Sequence, residues 1–184
     1  CLIARSVRSW RGLLMDMGRW RPPAPQSAPY ITAEGYMKLE RESAALWQKR
    51  NEVAKILAAA AAEGDRSENA EYIYRKKQLR EIDSRIRYLQ RRMPKLTIVT
   101  EVQDHSRVFF GAWVTLEDEA GAEKRYRIVG ADEFDQHEQY ITVDAPLSKL
   151  LLGKRLDDEF DFEHGGQSNS FVITAIDYDF TQMD

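Results

Sequence analysis

Between Thr32 and Met93 apolar residues recur every seven positions in two separate runs, with only a short polar turn between them. Leu39, Leu46, Val53 and Ala60 mark the first run. Tyr72, Leu79, Ile86 and Met93 mark the second, and Ile82 and Leu89 fill its other seam position. In the first run that other position is filled imperfectly, by Tyr36, Ser43, Arg50 and Leu57. A seven-residue apolar repeat specifies helices that bury one stripe against a partner. With so short a connection the partner must be the other run, folded back antiparallel. Thr32 is a fitting N-cap with Glu34 in the first turn. No proline interrupts the first run, Ala58 to Ala62 are strong helix formers, and Gly64 breaks the pattern. The second helix is predicted from about Ser67 to Met93, with Pro94 ending it. At 1.5 Å per residue each arm is roughly 40–45 Å long. The tip falls at Glu63 to Asn69.

From Leu96 the period changes to that of strands. The candidates are Leu96–Val99, Val108–Leu116, Lys124–Val129, Tyr140–Val143 and Phe171–Tyr178, separated by turn residues such as Gly121 and Gly165-Gly166. A short helix at about Leu147–Leu152 is closed by Gly153. The fold class is therefore α+β: a long antiparallel coiled-coil hairpin followed by a small domain with a mostly antiparallel sheet. Phe109, Phe110, Trp113, Tyr126 and Phe134 alternate as core residues of that sheet would, and part of such a sheet could also be a docking surface.

The division is into residues 1–29, 30–95 and 96–184. The first segment reads as a basic extension, disordered or a start-site artefact. Its arginines (Arg5, Arg8, Arg11, Arg19 and Arg21) interrupt every apolar cluster, so it offers no secretion signal. Arg21-Pro22-Pro23-Ala24-Pro25 reads as an extended linker. The sequence begins with Cys1, and Met15 and Met17 are candidate starts.

The net charge of −3 conceals an asymmetry. Residues 1–29 carry +4, residues 30–97 carry +5 and residues 98–184 carry −12. The basic half suits nucleic acid and the acidic half is repelled by it. The single cysteine excludes an internal disulfide and a cysteine-based zinc site, and His105, His137 and His164 lack ligand spacing. A cytoplasmic protein is expected. The longest apolar stretch, Ile56 to Ala62, is far too short to span a bilayer.

Two constellations carry chemistry. At the tip, Glu63, Asp65, Glu68 and Glu71 crowd one end of an otherwise basic rod. Carboxylates there can offer oxygen to a hard cation such as Mg²⁺, or orient and deprotonate a water. They are too few for a complete Mg²⁺ shell. Asp65 and Glu68 are also spaced as a helix capping box, a purely structural role. The second constellation is the basic set on the second helix. Lys76, Arg80, Arg87 and Arg91 follow at spacings of four, seven and four and share one face; Arg75 adjoins it. Such a stripe could track a phosphate backbone, or be a solvated coiled-coil face. Between Arg75 and Lys95 only Glu81 and Asp83 offset the positive charge.

Tyr30-Ile31-Thr32-Ala33-Glu34-Gly35-Tyr36-Met37-Lys38-Leu39 resembles the opening of the Gre transcript-cleavage factors, and Gly64-Asp65-Arg66-Ser67-Glu68-Asn69-Ala70-Glu71-Tyr72 closely resembles their tip signature. Arg87-Tyr88-Leu89, Val108 to Val114, Tyr126 to Gly130, Ile141 to Leu147 and Leu151 to Lys154 resemble the GreB branch. The resemblance spans about residues 30–180. It implies an FKBP-like C-terminal domain docked on bacterial RNA polymerase at the rim of its secondary channel. It also implies a finger reaching down that channel in an elongation complex containing DNA. By resemblance, Asp65 and Glu68 are the functional acids. They would help hold a second Mg²⁺ shared with the polymerase and position the water that cleaves the nascent RNA 3′ end of backtracked complexes. No cofactor of its own and no enzymatic activity of its own are expected. The basic stripe (Arg75, Lys76, Arg80, Arg87 and Arg91) would guide the extruded RNA.

Rival readings are a secondary-channel regulator that does not support cleavage, a prolyl isomerase built on the FKBP-like domain, and a coiled-coil adaptor in which Asp65 and Glu68 only cap a helix. A zinc-finger coiled-coil regulator would need a cysteine cluster, which one cysteine removes.

Overall fold

The computed structural model describes residues 27–62, 70–164 and 166–180. The N-terminal segment, including the expected extension to residue 26, and the tip between the two arms lie outside the described residues.

Two long helices form the hairpin: α1, Ala33–Ala62, and α2, Ala70–Arg92. Thr32 caps α1 as its sequence position predicts, its Oγ1 accepting the Gly35 backbone N–H at 3.0 Å. The heptad residues form the seam. Val53, Ile82 and Ile86 are buried together with Leu46 and Leu79 against them. Toward the root, Leu39 and Leu89 are buried with Ile31, flanked by Tyr36, Met93, Leu96 and Ile98. Fully burying each such aliphatic side chain contributes about 1.5–3 kcal/mol before entropy is counted. One imperfect seam position, Arg50, is accommodated by an ion pair across the arms, its Nε donating to Asp83 at 2.6 Å; beside the seam Arg85 holds both oxygens of Glu42 at 2.7 and 2.9 Å. These pairs join specific turns of α1 and α2 and help set their register. The second helix ends one residue earlier than its sequence pattern predicts. Pro94 lacks the N–H a helix needs, and Met93–Lys95 tighten into a 3-10 turn.

The root is closed by a strand pair. β1 (Tyr30–Thr32), which the sequence pattern does not mark as a strand, pairs in parallel with β2 (Thr97–Val99). Three residues that end on the helix cap itself carry too little pattern to be read as a strand.

A five-stranded sheet follows, built from β3 (Ala112–Asp118), β4 (Glu123–Val129), β5 (Tyr140–Thr142), β6 (Glu159–His164) and β7 (Gln167–Tyr178) in the order β5-β4-β3-β7-β6. β4 and β5 pair in parallel and the other neighbours are antiparallel. β6 is likewise absent from the expected strands, because its Phe160 and Phe162 alternate with acids and read as a polar connection. The expected strand over Val108–Leu116 starts late. Gly111 has φ of +87°, which breaks the extended run, so β3 begins at Ala112. Val108 is still buried, its backbone bonded to Lys154 and Gly153. The short helix α3 spans Pro146–Leu151, and Gly153 beyond it has φ of +84°.

The sheet core is Val108, Ala112, Val114, Leu116, Ile128, Leu151, Phe160 and Ile173. The aromatic residues do not all join it. Phe110 is buried and Tyr126 packs on the core, but Phe109 and Phe134 are exposed. Trp113 alternates to the opposite sheet face, where the Arg125 and Arg127 guanidiniums lie 4.9 and 5.6 Å from its ring.

Candidate functional site

The sequence places the chemistry at two points along one rod, and the structure describes everything except its end. Asp65 and Glu68 lie outside the described residues, as do Glu63 and the rest of the tip. Of the tip acids only Glu71 is described. It accepts from Arg75 Nε at 2.9 Å, one helical turn on. The arms themselves are long: 30 residues of α1 correspond to about 45 Å. Among the described residues no group of three or more His, Cys, Asp or Glu could hold a metal ion. No described helix is long and apolar enough to cross a membrane.

The basic residues of α2 divide by what they touch. Lys76, Arg80, Arg87 and Arg91 are exposed, as their shared spacing predicts, and form no ion pair among the described residues. Lys76 Nζ sits 5.6 Å from the Tyr72 ring centre. Arg75 differs: it is half-buried, held by Glu71, donates to Gln78 at 3.1 Å and lies over Tyr74. Arg85 is held by Glu42, and that hydrogen bond raises its pKa further. Near the root, Arg87 and Arg91 line an open groove of about 510 Å³ with Ser84, Tyr88, Arg92 and Lys95. Arg92 is held by Asp132, so Arg87, Arg91 and Lys95 carry the groove's uncompensated charge, which favours phosphates over a neutral ligand.

The root carries residues that sequence reasoning did not single out. Glu133 is 1% exposed. Its Oε1 accepts the backbone N–H of Thr32 at 3.0 Å and of Gly130 at 2.9 Å, and its Oε2 accepts the Thr32 hydroxyl at 2.5 Å. Beside it Asp132 accepts from Arg92 Nε at 2.8 Å and from the Tyr88 hydroxyl. Arg127, 5% exposed, lies between the Trp113 and Tyr140 rings and reaches Glu34 of α1 at 3.7 Å. Lys38, one turn along α1, bonds Glu34 and holds its carboxyl below the usual range; Arg127 adds to this. The only sequence signal for this cluster is Asp132-Glu133 in a turn after an apolar strand, a common surface pattern.

Comparison with known proteins decides the family. The profile described as "Transcription elongation factor, N-terminal" matches residues 29–98, and that described as "Transcription elongation factor, GreA/GreB, C-term" matches residues 103–178. The chain belongs to the GreA/GreB transcription elongation factor family. It is 54% identical over 165 residues to "Transcription elongation factor GreB" of Xanthomonas axonopodis pv. citri, covering 88% of this chain and 98% of that one. It is 49% identical over 164 residues to the Pseudomonas aeruginosa protein of the same name, again covering 88% and 98%. In this GreB-like chain the first matched region contains both arms and the exposed cations. The second contains the five-stranded sheet, Asp132 and Glu133.

Proposed function

We propose that this protein binds bacterial RNA polymerase at its secondary channel and stimulates cleavage of the nascent RNA 3′ end in backtracked, arrested complexes. The observation that carries the reading is membership of the GreA/GreB family across both arms and the sheet domain, in a chain whose tip retains Asp65 and Glu68. The sheet domain docks at the channel rim and the finger enters the channel. Hydrolysis belongs to the polymerase; this chain is its accessory factor and acts in the cytoplasm.

The Asp65 and Glu68 carboxylates supply hard oxygen donors, which suit Mg²⁺, but two are too few for its octahedral shell. They would hold a second Mg²⁺ jointly with the polymerase active centre, and that ion would supply Lewis-acid stabilisation of developing negative charge. Asp65 and Glu68 would orient the attacking water toward the scissile phosphate, and one of these two carboxylates would take up its proton. The exposed Lys76, Arg80, Arg87 and Arg91 hold the extruded RNA by its phosphates, with Arg75 at the edge of that face.

The test is transcript cleavage in halted, backtracked elongation complexes, with the parent and with Asp65→Asn and Glu68→Gln. Rapid cleavage by the parent, abolished in both variants while polymerase binding is kept, is the expected result. Binding without cleavage by the parent would instead identify a regulator that only occupies the channel. Equal cleavage by all three would return both acids to helix capping.

A further inference from the structure

The root of the finger is built more tightly than a connection between two domains requires. Glu133, from the sheet domain, collects three hydrogen bonds in a space nearly closed to water, two of them from Thr32 at the start of α1. The Thr32 hydroxyl that donates to Glu133 also accepts the Gly35 N–H and so caps the helix. One hydroxyl therefore ties the helix end to the neighbouring domain. Two glycines let the parts approach this closely. A Cβ on Gly35 would lie 1.9 Å from Glu133 Oε2, and a Cβ on Gly130 would lie 2.1 Å from the Tyr30 backbone oxygen. Neither glycine has a positive φ, so close approach and not backbone conformation is what each position requires.

Lever geometry gives this joint its consequence. An arm of about 45 Å moves its end by about 8 Å for a 10° rotation at the root, and by about 1 Å for little more than 1°. Misplacing a catalytic group by about 1 Å can cost a hundredfold in rate. We infer that Glu133 is a positioning residue: by gripping Thr32 it fixes the direction of the finger relative to the docking domain, and so where the tip is delivered. This rests on the proposed function only for its effect on cleavage; the fixed direction stands on the hydrogen bonds at the root.

The test separates the two. Spin labels are placed at Lys55→Cys on α1 and Glu119→Cys on the sheet domain, in full-length protein carrying Cys1→Ser, and the interspin distance is measured. One narrow distribution is expected for the parent. Gly35→Ala replaces glycine by the best helix former, so helix content measured by circular dichroism should hold while the methyl displaces the Glu133 carboxylate. Gly130→Ala pushes on backbone and should act more strongly. Both should broaden or shift the distribution, Glu133→Gln should do so more weakly, and Thr32→Ser, which keeps the hydroxyl, should match the parent. In cleavage assays Gly35→Ala should lower the rate at saturating factor by about tenfold or more, with the half-saturating concentration changed by less than about threefold. A broad distribution in the parent, or an unchanged one in both glycine variants, overturns the inference whatever the cleavage result. A parent that fails to cleave but shows the narrow distribution overturns the proposed function and leaves the fixed joint standing.

Discussion

Arg92 meets Asp132 at 2.8 Å in a contact almost closed to water, the two side chains being 15% and 2% exposed. The same guanidinium donates to the backbone oxygens of Ser27, at 3.4 Å, and Ala28, at 2.9 Å. One side chain of α2 thus binds the sheet domain and the segment leading into β1. Removing one partner of a buried pair leaves the other charge uncompensated, which costs about 3 kcal/mol or more. Arg92→Ala should lower stability by about that amount in urea unfolding followed by circular dichroism. Arg92→Lys should recover only part, because a single ammonium cannot reach the carboxylate and two carbonyls together. A destabilisation below about 0.5 kcal/mol for the alanine variant would mean that the pair behaves as an exposed one.

The hairpin seam predicts a graded series. Leu89 is fully buried at the root, whereas Leu46 is half-buried where the two seam clusters meet. Leu89→Ala should cost about 2–5 kcal/mol and Leu46→Ala clearly less, since a half-buried leucine gives up less packing and its site collapses more easily. Equal costs would show that burial is not what ranks these positions.

The hairpin is legible in the sequence because its signal is repeated. Four apolar residues at seven-residue spacing in each arm outweigh single exceptions such as Ser43 and Arg50, and Arg50 finds a partner in Asp83. The sheet is legible only in part. Its central strands carry β-branched and aromatic runs, but β1 is three residues long and β6 alternates Phe160 and Phe162 with acids. Phe109 and Phe134 lie outside the core that their apolar character suggests, because such character does not say which residues of a loop face inward. The stripe of Lys76, Arg80, Arg87 and Arg91 follows from helical spacing alone. What spacing does not give is occupancy: Arg75 and Arg85 belong to the same basic run yet are held by Glu71 and Glu42. The joint around Glu133 is invisible in the sequence, since its meaning lies in a partner 101 residues away.

That division of the basic run gives a third prediction. Removing one cation that neutralises a phosphate of a single strand reduces the salt slope of log K by about 0.7. Arg87→Ala and Arg91→Ala should each reduce the slope by about that much when binding to a backtracked complex is measured across salt concentrations. Arg85→Ala should change the slope much less, because its guanidinium already holds Glu42. A single common effect for all three would mean that net charge, and not the exposed face, governs binding.

Tyr88 gives the pH dependence a sign. Burial, and then its hydrogen bond to Asp132, push the phenol pKa above the usual 10. The protonated form is therefore favoured by folding. The stability it contributes is fully present below the unfolded pKa and is lost as pH rises through the folded one. Urea midpoints should fall as pH increases from about 9 to 11 by an amount that Tyr88→Phe partly removes, since phenylalanine has no proton to lose. The effect should be small, because the side chain is 44% exposed and water screens the new charge. Absorbance titration of the parent against the variant should show one tyrosine ionising later than exposed ones. If the missing tyrosine titrates with the rest, the hydrogen bond to Asp132 does not hold the phenol protonated, and alkaline loss of stability must come from elsewhere in the fold.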